Sequence, residues 1–177
     1  MKFFASPARL FRFAGLLLFS AGFVYGHNPS SSWATVRIAG DTIELKVEMA
    51  RETAWLFLGN TLDSAPDIDH SVPKLRAAAP NVYRLSLGDR VLTPKETGVE
   101  LRDEDGVQFR LVFVHPKGEP LVRFEPGYLK RLAADHRTTL TLLDPADNVL
   151  RGEIMNPKKT AVDLKLPAPG PVSPAKP

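Results

Sequence analysis

Hydrophobic and polar residues alternate along two neighbouring stretches in the middle of the chain, residues 97–102 and 107–115. Between them, the residues Asp103-Glu-Asp-Gly106 are of the types that reverse a chain. When hydrophobic residues recur at every second position, their side chains lie on one face of a strand. The pattern therefore predicts a β-hairpin, which is the strongest fold signal in the sequence.

The same alternation recurs at short intervals along the rest of the chain. It predicts further strands at residues 32–38, 42–49, 82–87, 90–92, 120–124, 136–143, 149–155 and 160–166. In residues 42–49 every second residue is hydrophobic and the others are charged, which is typical of a sheet with one face in water. Short strands and frequent turns predict a mainly β chain, an antiparallel β-sandwich of immunoglobulin-like architecture.

Two or three short segments interrupt the strands with helical spacing. Residues 50–58 form the first, and residues 72–79 form the second, with Ser71 as its expected N-cap and Pro73 in its first turn. A third, shorter helical turn is predicted at residues 127–132. Three large aromatic residues lie on the apolar side of their segments and are predicted to be core residues: Trp33, Trp55 and Phe124.

The two ends of the chain differ from the part between them. Residues 1–26 combine a basic start with an apolar run of about a dozen residues, which predicts a secretory signal peptide cleaved before His27. Residues 167–177 are rich in proline, which predicts a disordered tail without helix or strand. The predicted organisation is thus a leader, one β-sandwich domain over residues 27–166, and the tail.

Composition narrows the classes of function. Removing the three basic leader residues from the 23 in the chain leaves 20 against 20 acidic side chains, so we expect no nucleic-acid partner. With no cysteine, disulfides and thiolate chemistry are excluded. No run of 18 apolar residues follows the leader, so we expect no transmembrane helix there and a soluble, exported protein, periplasmic or extracellular.

Several stretches together suggest a family. The first is a mature amino terminus that starts with His27. The others are residues 73–80, 88–94 and 98–113 and, near the end of the domain, residues 136–144 and 149–153. In this order they resemble the amino-terminal extracytoplasmic region of HupE/UreJ-type membrane proteins. In that family a bundle of membrane helices follows the β domain, and the class is associated with uptake of nickel or other metals. Because the proline-rich tail stands where the bundle would begin, the resemblance implies only the role of the soluble domain.

His27 is the sharpest chemical candidate. As a new amino terminus it would carry an α-amine and an imidazole on one residue, which together chelate Cu(II), an ion that suits tetragonal nitrogen sites. A further histidine would complete a three-nitrogen site for copper or nickel. His136 and His115 are the favoured partners, since both are predicted at strand ends.

Catalysis has no comparable support in the sequence. There is no G-x-S-x-G elbow, and the acidic side chains of the central hairpin turn are expected to be solvated. We therefore expect a non-enzymatic binding or interaction domain, accessory to an envelope or membrane partner related to transport, with no resident cofactor. The alternative is a periplasmic protein that binds copper or nickel through His27.

Overall fold

The computed structural model describes residues 30–63, 67–102, 105–144 and 146–168. Within these ranges the strands are β1 (Ser31–Ala39), β2 (Thr42–Ala50), β3 (Tyr83–Leu87), β4 (Arg90–Leu92), β5 (Glu96–Arg102), β6 (Gly106–Val114), β7 (Leu121–Pro126), β8 (Arg137–Leu143), β9 (Val149–Met155) and β10 (Val162–Lys165). The helices are α1 (Arg51–Phe57) and α2 (Ile68–Ala78), with 3₁₀ turns at Ala79–Asn81 and Leu129–Arg131. The predicted leader, His27 and residues 169–177 lie outside the described residues.

The strands form two sheets, which confirms the predicted mainly β sandwich. One sheet has six strands in the order β5-β6-β2-β1-β8-β9, and the other has four in the order β10-β7-β3-β4. All pairs are antiparallel except β1 with β8, which run parallel with Ser31 opposite Arg137. Alternation alone did not predict this parallel pair, because the same alternation suits both directions.

The core lies between the sheets and takes its side chains from both of them. In β2 the predicted hydrophobic face is fully buried and consists of Ile43, Leu45, Val47 and Met49. The central hairpin is present as β5 and β6, with Leu101 opposite Val107 and Val99 opposite Phe109. At about 25 cal/mol per Å² of apolar surface removed from water, these faces provide the main driving force for joining the sheets.

The second helix begins earlier than the sequence indicated. α2 starts at Ile68 instead of residue 72, and Asp67 caps it by accepting a hydrogen bond from the His70 amide. Ser71, the expected N-cap, is buried inside the helix, and Pro73 lies beyond the first turn. The prediction of this boundary was wrong because two capping residues lie close together and packing of Ile68 into the core favours the first.

The aromatic core predictions have mixed outcomes. Phe124 is fully buried and Trp55 is half-buried against the core. Trp33, however, is 42% exposed, so its prediction was wrong. It lies on the outer face of the six-stranded sheet, in register with Glu48 on one side and Thr139 on the other.

None of the helices in the described ranges has the length and apolar character needed to cross a membrane.

Candidate functional site

A buried cluster of polar side chains lies where β1 and β8 begin. The parallel pairing sets Ser32 opposite Thr138, and their hydroxyl oxygens are 2.8 Å apart. Ser32 Oγ also lies 3.0 Å from the Tyr128 hydroxyl and 3.1 Å from His136 Nε2. Each of these four residues is buried. The hydroxyls thus satisfy one another in a place where unpaired polar atoms would be costly.

The tyrosines of this region remain neutral over a wide pH range. Burial raises the pKa of Tyr128 to about 12, although the hydrogen bonds from Ser32 and Thr138 act in the opposite direction. Burial also raises the pKa of Tyr83, whose ring meets that of Tyr128 edge-on at 6.3 Å. The Tyr83 hydroxyl is buried and has no partner within hydrogen-bond distance among the described residues. It is nevertheless close enough to the Tyr128 hydroxyl for each tyrosine to affect the pKa of the other.

His136 also lines a pocket of about 160 Å³ at the same end of the sandwich. Ser30, Glu52 and Thr53 provide its other polar walls. The contact between Ser32 Oγ and His136 Nε2 joins the atom types of a nucleophile and its base. Ser32 is fully buried, however, and does not form part of the pocket wall. The cluster therefore positions His136 and the start of β1.

His115 has a different role at the end of β6. Its backbone N–H donates to Asp41 O at 2.7 Å, next to the turn between β1 and β2. One ring nitrogen contacts Pro116 O, and Nε2 lies 3.1 Å from Pro167 O, beyond the end of β10. His115 is buried and connects the six-stranded sheet to the end of the four-stranded sheet.

The two histidines favoured as metal ligands lie at opposite ends of the six-stranded sheet. His115 follows β6 beside residues 40–42, whereas His136 precedes β8 beside Ser31. The nine residues of β1 separate these ends by roughly 27 Å. The structure therefore does not bring His115 and His136 together. In the described ranges, no three histidine, aspartate or glutamate side chains group in a way that could hold a metal ion.

A larger pocket, of about 320 Å³, opens on the four-stranded sheet near the beginning of β3. We call it the Arg84 pocket; its lining includes Asn81, Arg84, Val91, Leu92, Glu125 and Lys130. Arg84 and Glu125 are opposite each other on β3 and β7, and Lys130 Nζ contacts Glu125 Oε1 at 3.1 Å.

Arg84 is the unpaired charge in this pocket. Its guanidinium has no ion-pair partner within the described part of the chain, whereas the positive charge of Lys130 is compensated by Glu125. Apolar walls from Val91 and Leu92 adjoin it. A concave, partly apolar surface with one uncompensated guanidinium can accept an anionic group, since arginine pairs well with carboxylates and phosphates.

Sequence reasoning did not find the Arg84 pocket. Alternation does place Arg84 on the outward face, between the buried Tyr83 and Leu85. That signal is shared by every outward arginine of a strand, and only the pairing of β3 with β7 brings Glu125 and Lys130 beside it. The sequence matches no known family model, and no curated protein is significantly similar to it.

Proposed function

We propose that this protein is an exported, non-enzymatic binding domain that acts as an accessory to an envelope or membrane partner related to transport. The observation that carries the proposal is the Arg84 pocket, an open concave surface with an uncompensated guanidinium. A partner that presents a carboxylate or phosphate beside an apolar side chain would match both its charge and its walls.

The export and the class of partner rest on the sequence. The basic and apolar leader supports secretion to the periplasm or the extracellular space. The resemblance to the extracytoplasmic domain of HupE/UreJ-type proteins supports a partner in or near a membrane. The neutral balance of charges in residues 27–177 supports a protein partner over a nucleic acid.

Site-specific photo-crosslinking in cells of the source organism tests the binding surface. A photoreactive residue replaces Val91, which is 46% exposed at the Arg84 pocket, or Val114, which is exposed at the end of the other sheet. We expect a discrete adduct from position 91 that falls about tenfold in an Arg84→Glu background, since charge reversal opposes an anionic partner.

Arg123→Glu is the matched control. Arg123 lies on β7 of the same sheet, pairs with Asp163 at 3.5 Å and lies outside the Arg84 pocket. The same change of charge there should leave the adduct unchanged. Equal adducts from positions 91 and 114, or an adduct that Arg84→Glu does not weaken, would contradict this binding surface. Recovery of uncleaved protein from the cytoplasm would contradict export.

A second candidate function is metal binding at the mature amino terminus, and one contact favours it. Ser30 O accepts a hydrogen bond from the Arg137 amide at 2.9 Å, directly beside His136. His27 precedes Ser30 by three residues, a length of chain that spans at most about 11 Å. His27 can therefore approach His136 but cannot reach His115 at the far end of the sheet. The α-amine and the His27 imidazole would provide two nitrogen ligands for copper or nickel. The His136 imidazole, which is buried with Nε2 3.1 Å from Ser32 Oγ, would provide the third only on leaving its present contacts.

Electron paramagnetic resonance of the Cu(II)-loaded protein tests this second candidate. Protein with an authentic His27 terminus should give a spectrum with nitrogen hyperfine structure, and a form with methionine before His27 should not. His136→Gln should change the spectrum, while His115→Gln, at the opposite end, should not. Because Nε2 contacts Ser32, folding of each variant is checked by circular dichroism. Equal binding by the methionine-preceded form would exclude the site.

A further inference from the structure

The outer edge of β9 is a long strand edge exposed to solvent. β9 is the last strand of the six-stranded sheet and pairs with β8 on one side; on its other side it has no strand partner in the described part of the chain. Three of its hydrophobic residues are exposed, Val149 by 67%, Leu150 by 51% and Ile154 by 53%. Such an edge presents backbone donors and acceptors that can pair with another strand.

The other edges of the two sheets are shorter or better covered. β4 and β10 have three and four residues. β5, the opposite edge of the six-stranded sheet, is contacted by α2 and by the 3₁₀ turn at Ala79–Asn81. β9 has seven residues. Its register with β8 shifts between Arg151 and Val149, so its regular part is residues 151–155, which is still longer than β4 and β10.

The charges of β9 are complementary to a second copy of the same strand. When two identical strands pair antiparallel around a two-fold axis perpendicular to the sheet, one residue lies opposite itself. With Gly152 at the axis, Arg151 of each copy lies opposite Glu153 of the other. An axis at Arg151 or at Glu153 would instead place like charges opposite each other, which is unfavourable.

The same register also suits the remaining side chains. Glu153 pairs with two cations of its own chain: Arg151 Nη2 lies 2.7 Å from its Oε1, and Lys159 Nζ lies 3.0 Å from its Oε2. Arg151 and Glu153 are two residues apart and share one face of the strand, so Arg151 can exchange its own Glu153 for that of the second copy. No heavy atom lies within 4 Å of the position that a Cβ atom on Gly152 would take, so the face of the sheet is open at this residue. Ile154 of each copy lies near Leu150 of the other, the residue at which the register with β8 shifts.

We propose that the protein forms a two-fold dimer in which the β9 strands pair antiparallel around Gly152. The two six-stranded sheets then become one continuous sheet, and the exposed apolar residues of β9 are partly buried. Edge pairing alone buries less than the roughly 1,600 Å² of a standard interface, so we expect a weak dimer whose population rises with protein concentration.

Sedimentation velocity over a concentration series tests the proposal. The samples are the mature chain from His27 onward and variants in which the charges at positions 151 and 153 are reversed. Arg151→Glu and Glu153→Arg each place like charges opposite each other and should weaken dimerisation about tenfold or more. The double variant Arg151→Glu/Glu153→Arg is compared in a Lys159→Gln background, because Lys159 Nζ lies 3.0 Å from Glu153 Oε2 and would repel a cation at that position. It restores opposite charges and should dimerise like that background. An equimolar mixture of the two single variants should form a heterodimer.

Glu100→Arg, on β5 at the opposite edge of the same sheet, is the control and should leave the dimer unchanged. Circular dichroism and thermal unfolding verify that each variant is folded. A protein that stays monomeric up to about millimolar concentration would overturn the proposal, since this exceeds the range expected for a specific interface. A dimer that neither single variant weakens, or that the double variant fails to restore, would also overturn it.

Discussion

Tyr83 and Tyr128 are buried side by side, but their hydroxyl groups have different surroundings. The Tyr128 hydroxyl lies 3.0 Å from Ser32 Oγ and 3.2 Å from Thr138 Oγ1. The Tyr83 hydroxyl is equally buried and has no such partner among the described residues. Burial of a polar group without a hydrogen bond is unfavourable, whereas a paired group is close to neutral or stabilising.

Phenylalanine substitutions at these two positions should therefore have opposite effects on stability. Tyr128→Phe removes two hydrogen bonds and should lower the free energy of unfolding by about 1–2 kcal/mol. Tyr83→Phe removes only an unpaired hydroxyl and should leave the free energy of unfolding unchanged or raise it by up to about 1 kcal/mol. Urea unfolding at pH 7 measures both. A larger loss from Tyr83→Phe than from Tyr128→Phe would contradict the assignment of partners.

The buried tyrosines also predict how stability depends on pH. The pKa of Tyr128 is raised from its ordinary value of 10.0 to about 12, so above pH 10 the unfolded chain loses this proton before the folded chain does. The stability of the fold is then complete below about pH 10 and falls as the pH rises towards 12. Unfolding followed between pH 8 and pH 12 should show a shallower decline for Tyr128→Phe. An unchanged slope would mean that Tyr128 is not the group responsible.

At the scale of elements, a close approach of the backbone joins β7 to the 3₁₀ turn that precedes β3. Gly127 follows β7, and its N–H donates to Val82 O at 2.9 Å. A Cβ atom on Gly127 would lie only 2.2 Å from the carbonyl oxygen of Asn81. Because the obstructing atom belongs to the backbone, it cannot move aside by a change of rotamer.

Gly127→Ala should accordingly destabilise the protein by about 2 kcal/mol or more, because the two elements must separate. Gly98→Ala in β5 is the matched control, since the nearest atom to its Cβ position is Arg110 Cβ at an ordinary 3.9 Å. Thermal unfolding should show a clear loss for the first variant and little change for the second. Similar melting temperatures for the two variants would disprove the close contact.

At the scale of the whole molecule, His115 holds the ends of the two sheets together. It follows β6 in one sheet, and its ring contacts Pro167 O, just beyond β10 of the other. The Leu166 amide adds a hydrogen bond to Pro120 O at 2.9 Å in the same region. β10 has only four residues, so contacts beyond its end matter for keeping it in the sheet.

His115→Ala should therefore loosen β10 more than the rest of the fold. We expect faster amide hydrogen exchange in Val162–Lys165 than in the natural protein, with β1 and β2 nearly unchanged. The exposed His70, on α2, provides the control, and His70→Ala should leave exchange in β10 as it was. Uniform acceleration over both sheets would indicate global destabilisation and contradict this local role.

Much of the fold was readable from residue order, because the direction of a strand side chain depends only on its position in an alternating pattern. The buried face of β2, the hairpin of β5 and β6, and helix α1 followed from such local patterns. The candidate sites were less readable. His115 and His136 were correctly expected at strand ends, but the ends of different strands meet only when the order of the sheet is known.

The sequence by itself determined that this protein is mainly β, which residues of strands such as β2 face the core, and where most of its turns lie. Only the tertiary structure decided that β1 pairs in parallel with β8, that His136 lies beside the start of β1 while His115 lies far from it, and that Arg84, Glu125 and Lys130 share one pocket. The physical reason is the distance along the chain over which each kind of interaction acts. Alternation and turn chemistry act between neighbours in sequence, whereas pairing of strands separated by about a hundred residues depends on which arrangement buries the most apolar surface in one core.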